Sequence, residues 1–223
     1  MKITDITVQV KNNSRYNVFI DGEFVFGINA DDLLYHGLVV GMELEQEQFD
    51  NLLNEIEYAK ARDAAVGYLG RGARAVKEVV TKLKDKEFSE ITIVRVIEML
   101  VSHGYLDDVA FAVRLIRHRA DVSNHGKRRI VAELARKGVS RDNIVAAFNQ
   151  LKDEMEDSDN DTSEQEQEHA AARRALEKKL RNKDVATMLA DHAEKTRLVG
   201  FLARRGFSYD VIKAVLRDVA QED

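Results

Sequence analysis

The chain has 223 residues, 44% of them hydrophobic and 33% charged, with no cysteine, no proline and no tryptophan. This composition excludes disulfides and thiol chemistry, offers no run of about 18 apolar residues for a membrane span, and opens on MKITDITVQV, which lacks the apolar core of a signal peptide, so a cytoplasmic protein is expected. The net charge of -5 is unevenly spread: three bases and ten acids in residues 1–56, nineteen and twelve in 57–152, none and nine in 153–168, twelve and eight in 169–223, a segregation that points to a polyanion or an acidic protein surface as partner.

Residues 3–10 alternate as a strand does, and Asp21-Gly22 lies between two β-rich runs, the strongest short hairpin signal. A three-stranded meander is predicted over Ile3–Lys11, Tyr16–Asp21 and Glu23–Asn29. Such a sheet is too small to stand alone and must pack on the Leu33-Leu34 segment and the helix that follows. From Glu45 to about Leu69, Phe49, Leu52, Leu53 and Ile56 fall at helical spacing, which predicts one long helix out of the head.

The remainder is organised by an internal repeat. LKDKEFSEITI (Leu83–Ile93), LARKGVSRDNI (Leu134–Ile144) and LARRGFSYDVI (Leu202–Ile212) share a Leu, a base at +3 (Lys86, Lys137, Arg205), Phe or Val at +5, a Ser at +6 and an Ile at +10. A fixed period of this kind sets an architecture of stacked modules. Each copy reads as three helices, with the phrase as the turn between the second and third. Gly138 and Gly206 sit where a helix stop takes a left-handed residue, and Ser89, Ser140 and Ser208 are placed to cap the third helix. Glu87 replaces the glycine in the first copy.

Between copies one and two lies HGYLDDVAFAVRLIRHR, His103–Arg119. Gly104 can end a helix, Tyr105 and Leu106 can pin the turn, Asp107 can cap the next helix, Asp108 suits its positive end, and Phe111 follows on the apolar face. Capping accounts for both acids, so no metal is inferred. Between copies two and three, DEMEDSDNDTSEQEQE (Asp153–Glu168) reads as a linker or a solvated helix start and leaves the third copy free to hinge.

The basic residues are the candidate binding groups. Lys127, Arg128 and Arg129 crowd the first turn of a helix, against its dipole, which suggests an external anion. Arg114, Arg117 and Arg119 from the preceding helix, Arg136 and Lys137, and Arg173, Arg174, Lys178, Lys179 and Arg181 in the third copy can extend the same basic faces. GYLGRGAR (Gly67–Arg74) has no preceding strand, His125-Gly126-Lys127 departs from a phosphate loop, and the six histidines form no i, i+4 pair. No catalytic grouping, metal site or cofactor is indicated.

With three-helix repeats, the GYLDD-x-x-FA junction at Gly104–Ala112, the basic middle helix and the L-x-x-K-G-[VF]-S turn, residues 57–220 resemble the RecX family of bacterial recombination regulators. The β-containing head resembles its longer members. The departures are Glu87 and the acidic block. The resemblance implies a mainly α protein, tandem three-helix repeats in an elongated curved stack behind a small N-terminal β-meander head. It implies a monomer that docks on the RecA nucleoprotein filament and inhibits ATP hydrolysis, strand exchange and the co-protease activity behind the SOS response, with single- or double-stranded DNA as an additional or competing partner. The expected domains are a head at 1–44, the long helix and first repeat at 45–106, the second repeat at 107–152, an acidic linker at 153–168 and the third repeat at 169–223.

Overall fold

The computed structural model describes residues 1–10, 12–156, 164–180, 188 and 191–221. They form two compact units, one of residues 1–72 and 80–103, the other of residues 73–79 and 104–223.

In the first unit, strands β1 (Ile3–Gln9), β2 (Asn12–Ile20) and β3 (Glu23–Asn29) make an antiparallel sheet in chain order. The β2–β3 turn puts Asp21 and Gly22 at φ 50° and 89°, the left-handed pair that a two-residue hairpin needs to match strand twist. Strand β2 starts four residues earlier than the hydrophobic alternation suggests. Asn13 and Ser14 carry no apolar pattern, but the ladder continues through them after a register shift between Val8 and Gln9. Ile3, Val18, Ile20, Phe26 and Ile28 form the sheet's buried face.

Helix α1 (Ala30–Tyr35) is capped by the Asn29 side chain. Helix α2 (Gln46–Leu69) starts with a reciprocal capping box between Glu45 and Gln48. It buries Leu52 and Ile56 in the same core as the sheet, which is how a meander too small to be stable alone is held. Helix α4 (Glu90–Ser102) packs on α2, where the Glu57 carboxylate accepts from the Ser89 amide at 2.9 Å, the Ser89 hydroxyl at 2.7 Å and the Thr92 hydroxyl. Burial pushes the Glu57 carboxyl up, and the hydrogen bonds from Thr92 and Ser89 outweigh it and hold it below its ordinary range.

Helix α3 (Val76–Lys84) completes a first trio, α2-α3-α4. The second unit holds two more: α5 (Asp108–Asp121), α6 (Lys127–Lys137) and α7 (Arg141–Glu156), then α8 (Glu164–Leu180), α9 (His192–Arg204) and α10 (Tyr209–Val219). Each trio of this unit has its own core. One gathers Phe111, Ala112, Ile116, Ile130, Leu134 and Ile144, the other Ala172, Leu176, Leu198, Leu202, Phe207 and Ile212. Of the acidic block, Glu164–Glu168 is the start of helix α8, and residues 157–163 lie outside the described residues. Mainly α architecture, three three-helix repeats and a β-meander head are therefore all present.

Candidate functional site

The repeated phrase has the same interior in every copy. Leu83, Leu134 and Leu202 are fully buried, as are Ile93, Ile144 and Ile212 ten residues on. Ser89, Ser140 and Ser208 each accept from the amide three residues ahead, on Thr92, Asn143 and Val211, and so satisfy an orphan donor of the third helix. Glu87, Gly138 and Gly206 all take positive φ, at 63°, 90° and 92°.

The exterior of the phrase is a junction. In the second copy, Gly138 lies against Lys77 on α3, and a Cβ there would collide with the Lys77 side chain. Lys137 reaches Glu78 on the same helix at 2.8 Å. In the third copy, Gly206 lies against the Arg129 backbone at the start of α6, and a Cβ on Gly126 would meet the Gly206 carbonyl at 2.5 Å. Two backbone bonds close this second contact, Gly126 N–H to the Arg205 carbonyl at 2.9 Å and Arg128 N–H to the Gly206 carbonyl at 3.3 Å. The Arg205 guanidinium donates to the Ser123 carbonyl at 2.8 Å and the Asn124 carbonyl at 3.3 Å. The base of the phrase is thus a clamp onto the N-terminus of the preceding repeat's middle helix.

An acid from the following repeat caps that same N-terminus. Asp108 accepts from the Val76 amide at 2.9 Å, and Glu168 from the Lys127 amide at 3.2 Å. The two adjacent acids of the junction motif therefore have separate tasks. Asp107 caps its own helix through the Val109 and Ala110 amides, and Asp108 caps α3. Gly104 takes φ 72° and Leu106 is buried, as is Phe111. Tyr105 departs from the expected pinning role, because it is 67% exposed and only Leu106 turns inward. The third repeat is not left to hinge freely on the second, since backbone bonds join them.

The basic residues divide into those engaged within the chain and those facing outward. Arg117 pairs with Glu154, Lys137 with Glu78, and Arg173 with Glu177 one turn ahead. Arg114 donates to the Ala110 carbonyl, Arg129 to the Arg204 carbonyl at 3.2 Å, and Arg174 to the buried Asn124 side chain at 3.1 Å. The Lys127 ammonium lies 4.6 Å from the centre of the Phe148 ring. Arg128, Arg136 and Lys178 are exposed, with no ion pair among the described residues. Arg181 lies outside the described residues.

The crowding of cations on the first turn of α6 thus has an internal explanation. The Glu168 carboxylate offsets the helix dipole there, and Arg129 is part of a junction. Folding also brings in Arg204 and Arg205, which line up with Arg128 and Arg129 through the backbone bonds above. The sequence signal for Arg205 is the base of the repeated phrase, which in sequence reads only as part of a turn. His125 lies among Arg129, Arg205 and Arg119. Burial and these three cations hold its imidazole below its ordinary value, against the opposing charge of Glu133.

No group of three or more metal-ligating side chains occurs among the described residues, and none of their helices is long and apolar enough to cross a membrane. Within the second unit, the two three-helix modules stack and present cationic outward faces.

Family models match this chain in four segments: the regulatory protein RecX N-terminal domain at residues 1–45, and the first, second and third RecX three-helix domains at 61–100, 107–147 and 165–216. Similar proteins named regulatory protein RecX include one from Clostridium acetobutylicum, 31% identical over 99% of this chain and 97% of its own length. One from Bacillus cytotoxicus is 32% identical over 99% and 77%. A crystal structure of a regulatory protein RecX covers 96% of this chain and 98% of its own at TM-score 0.65 and 24% identity, and one of RecX from Lactobacillus salivarius covers 75% and 98% at TM-score 0.60 and 21% identity. Those likenesses carry the fold, and the sequence relatives, matched over nearly the whole chain, carry the kinship: this chain belongs to the RecX family of regulatory proteins.

Proposed function

We propose that the chain regulates the RecA recombinase by docking on its nucleoprotein filament. Docking lowers ATP hydrolysis, strand exchange and the co-protease activity that triggers the SOS response, and it requires no catalysis by the chain itself. The reading places a monomer in the cytoplasm. The observation that supports it most is likeness, over nearly the whole chain, to proteins named as regulators. Physically, the outward cations Arg128, Arg136 and Lys178 offer charge to an acidic filament surface or to phosphate.

A second reading is favoured by the same exposed cations: direct binding of DNA phosphates, with any effect on the recombinase arising from competition for the strand. The two differ in salt dependence. Phosphate-driven binding to a single strand weakens with a log–log slope of about -0.7 per phosphate neutralised. Docking with packed apolar contacts weakens less.

The test is DNA-dependent ATP hydrolysis by preformed filaments as this protein is titrated in. Inhibition well below one molecule per recombinase protomer is the expected result. Inhibition only at amounts that coat the DNA would establish the competition reading instead. A double variant, Arg128→Glu with Arg136→Glu, is expected to keep the fold and weaken inhibition, because both side chains are exposed and neither makes an ion pair among the described residues. Unchanged inhibition by that variant would remove these two residues from the docking surface.

A further inference from the structure

The third helix of each repeat has one outward face, and the three copies can be laid over one another through their capping serines. Counting from Ser89, the exposed positions at +2, +5, +9 and +12 on α4 are Ile91, Val94, Glu98 and Val101. From Ser140 on α7 they are Asp142, Val145, Asn149 and Lys152, and from Ser208 they are Asp210, Lys213, Arg217 and Ala220 at the end of α10. The spacing of three, four and three residues places each set on a single helical stripe.

All twelve positions are exposed. Two copies of the stripe are mainly polar, as a solvated helix face should be. The first is apolar: Ile91 is 84% exposed, Val94 54% and Val101 49%. Side chains of this kind gain by leaving water for an apolar partner surface. A stripe with three exposed apolar side chains at four positions that two sister copies keep mainly polar marks an interaction face.

We propose that this stripe is the apolar anchor through which the protein grips its protein partner, separate from the cationic faces of the second and third repeats. The occupant is an apolar ridge carrying a basic side chain opposite Glu98. Glu98, the third of the four stripe positions, has no ion pair among the described residues, whereas Glu90 near the stripe's N-terminal end is paired with Lys84 at 3.2 Å. A second copy of this chain fits poorly. A parallel two-fold pairing would set Glu98 against Glu98, and an antiparallel one centred on the stripe would bury each Glu98 against Val94 with no opposite charge, both of which are unfavourable. The segment 157–163 of this chain reads DSDNDTS, which supplies no apolar ridge.

The inference rests on the proposed function for the identity of the probe, a preformed RecA filament on single-stranded DNA. The test variant combines Ile91→Asp, Val94→Lys and Val101→Lys. Each new residue type is one that a sister repeat already carries at the same position, so the helix and its core are kept, as unchanged helicity and unfolding midpoint will verify. The expected result is a loss of filament affinity of about tenfold or more, as for removal of an interface hot spot. The residual binding should be steep in salt. Affinity for bare single-stranded DNA should be unchanged or raised, since the variant is more positive by one charge.

Filament binding equal to wild type across the salt range, with the variant folded, would overturn the proposal while leaving the proposed function standing. Failure of the wild type itself to bind filaments would overturn both. Self-association of the wild type, abolished in the variant, would overturn it by making a second copy the occupant.

Discussion

The turn at Glu87 and the turns at Gly138 and Gly206 have the same backbone hand and different residues. All three lie at positive φ, so the left-handed conformation does not by itself select glycine here. What differs is the neighbour. Gly138 and Gly206 are covered by the middle helix of the preceding repeat, whose atoms occupy the space a Cβ would need, whereas Glu87 belongs to the first repeat and is exposed. The positions that match in all three copies, Leu, Ser and Ile, act inside a repeat. The glycine, replaced by Glu87 in the first copy, acts between repeats, and so does the base in the second and third copies. A repeat protein therefore carries two codes in one phrase, one for the module and one for its neighbour.

The largest test of that division is Gly206→Ala. Its Cβ would meet rigid backbone at Arg129, and alanine at φ 92° is strained as well, so a loss of roughly 3 kcal/mol is expected in denaturant unfolding. Gly138→Ala meets the Lys77 side chain instead and should lose less. Equal losses at the two sites would break the argument that the covering atoms set the cost. Removing the inter-repeat caps is next in size. Asp108→Ala should cost about 1 kcal/mol, the usual value for a lost N-cap, and Glu168→Ala a comparable amount. A double variant with additive losses would fit two independent junctions.

Glu87→Gly should act in the opposite direction. It relieves a left-handed side chain where nothing packs, and a gain of up to about 1 kcal/mol is expected from relief of that strain, offset by the added chain entropy of glycine. A loss would mean that the Glu87 side chain makes a stabilising interaction of its own.

The last test separates the junction between the second and third repeats by pH. The His125 imidazole is held below its ordinary value by burial and by Arg129, Arg205 and Arg119. The unfolded chain therefore takes up this proton before the folded one does. Stability from this site is fully present above about pH 6.5, the ordinary histidine value, and declines as pH falls below it until the folded imidazole also protonates. Replacing His125 by Gln should flatten the stability profile between pH 7 and 5. The carboxylates Glu57, Glu78 and Glu133, all held below their ordinary values, act in a lower window, and their contribution is lost only as pH falls below about 4.5.

Much of the fold could be read in advance. Asp21-Gly22 fixed a hairpin because only left-handed residues close it, and the apolar spacing of Leu52, Leu53 and Ile56 required a helix. The phrase itself gave the module, since a buried Leu, a capping Ser and a buried Ile are local needs that each copy meets alone. The candidate site was legible only in part. Lys127, Arg129 and Lys137 read as cations free for a partner, and folding engages all three within the chain. Their charge is visible in sequence and their neighbours are not, because Glu78 and Lys137 stand 59 residues apart.

The sequence by itself determined the three-helix unit, its number of copies and the segregation of charge, since helical period, capping chemistry and composition are local properties of the chain. Only the tertiary structure decided which bases clamp one repeat to the next, which remain outward, and that α4, among the three third helices, carries a mainly apolar outer stripe. Those depend on what lies within a few ångströms in space, and hydrogen bonds, ion pairs and collisions act over that distance and no further.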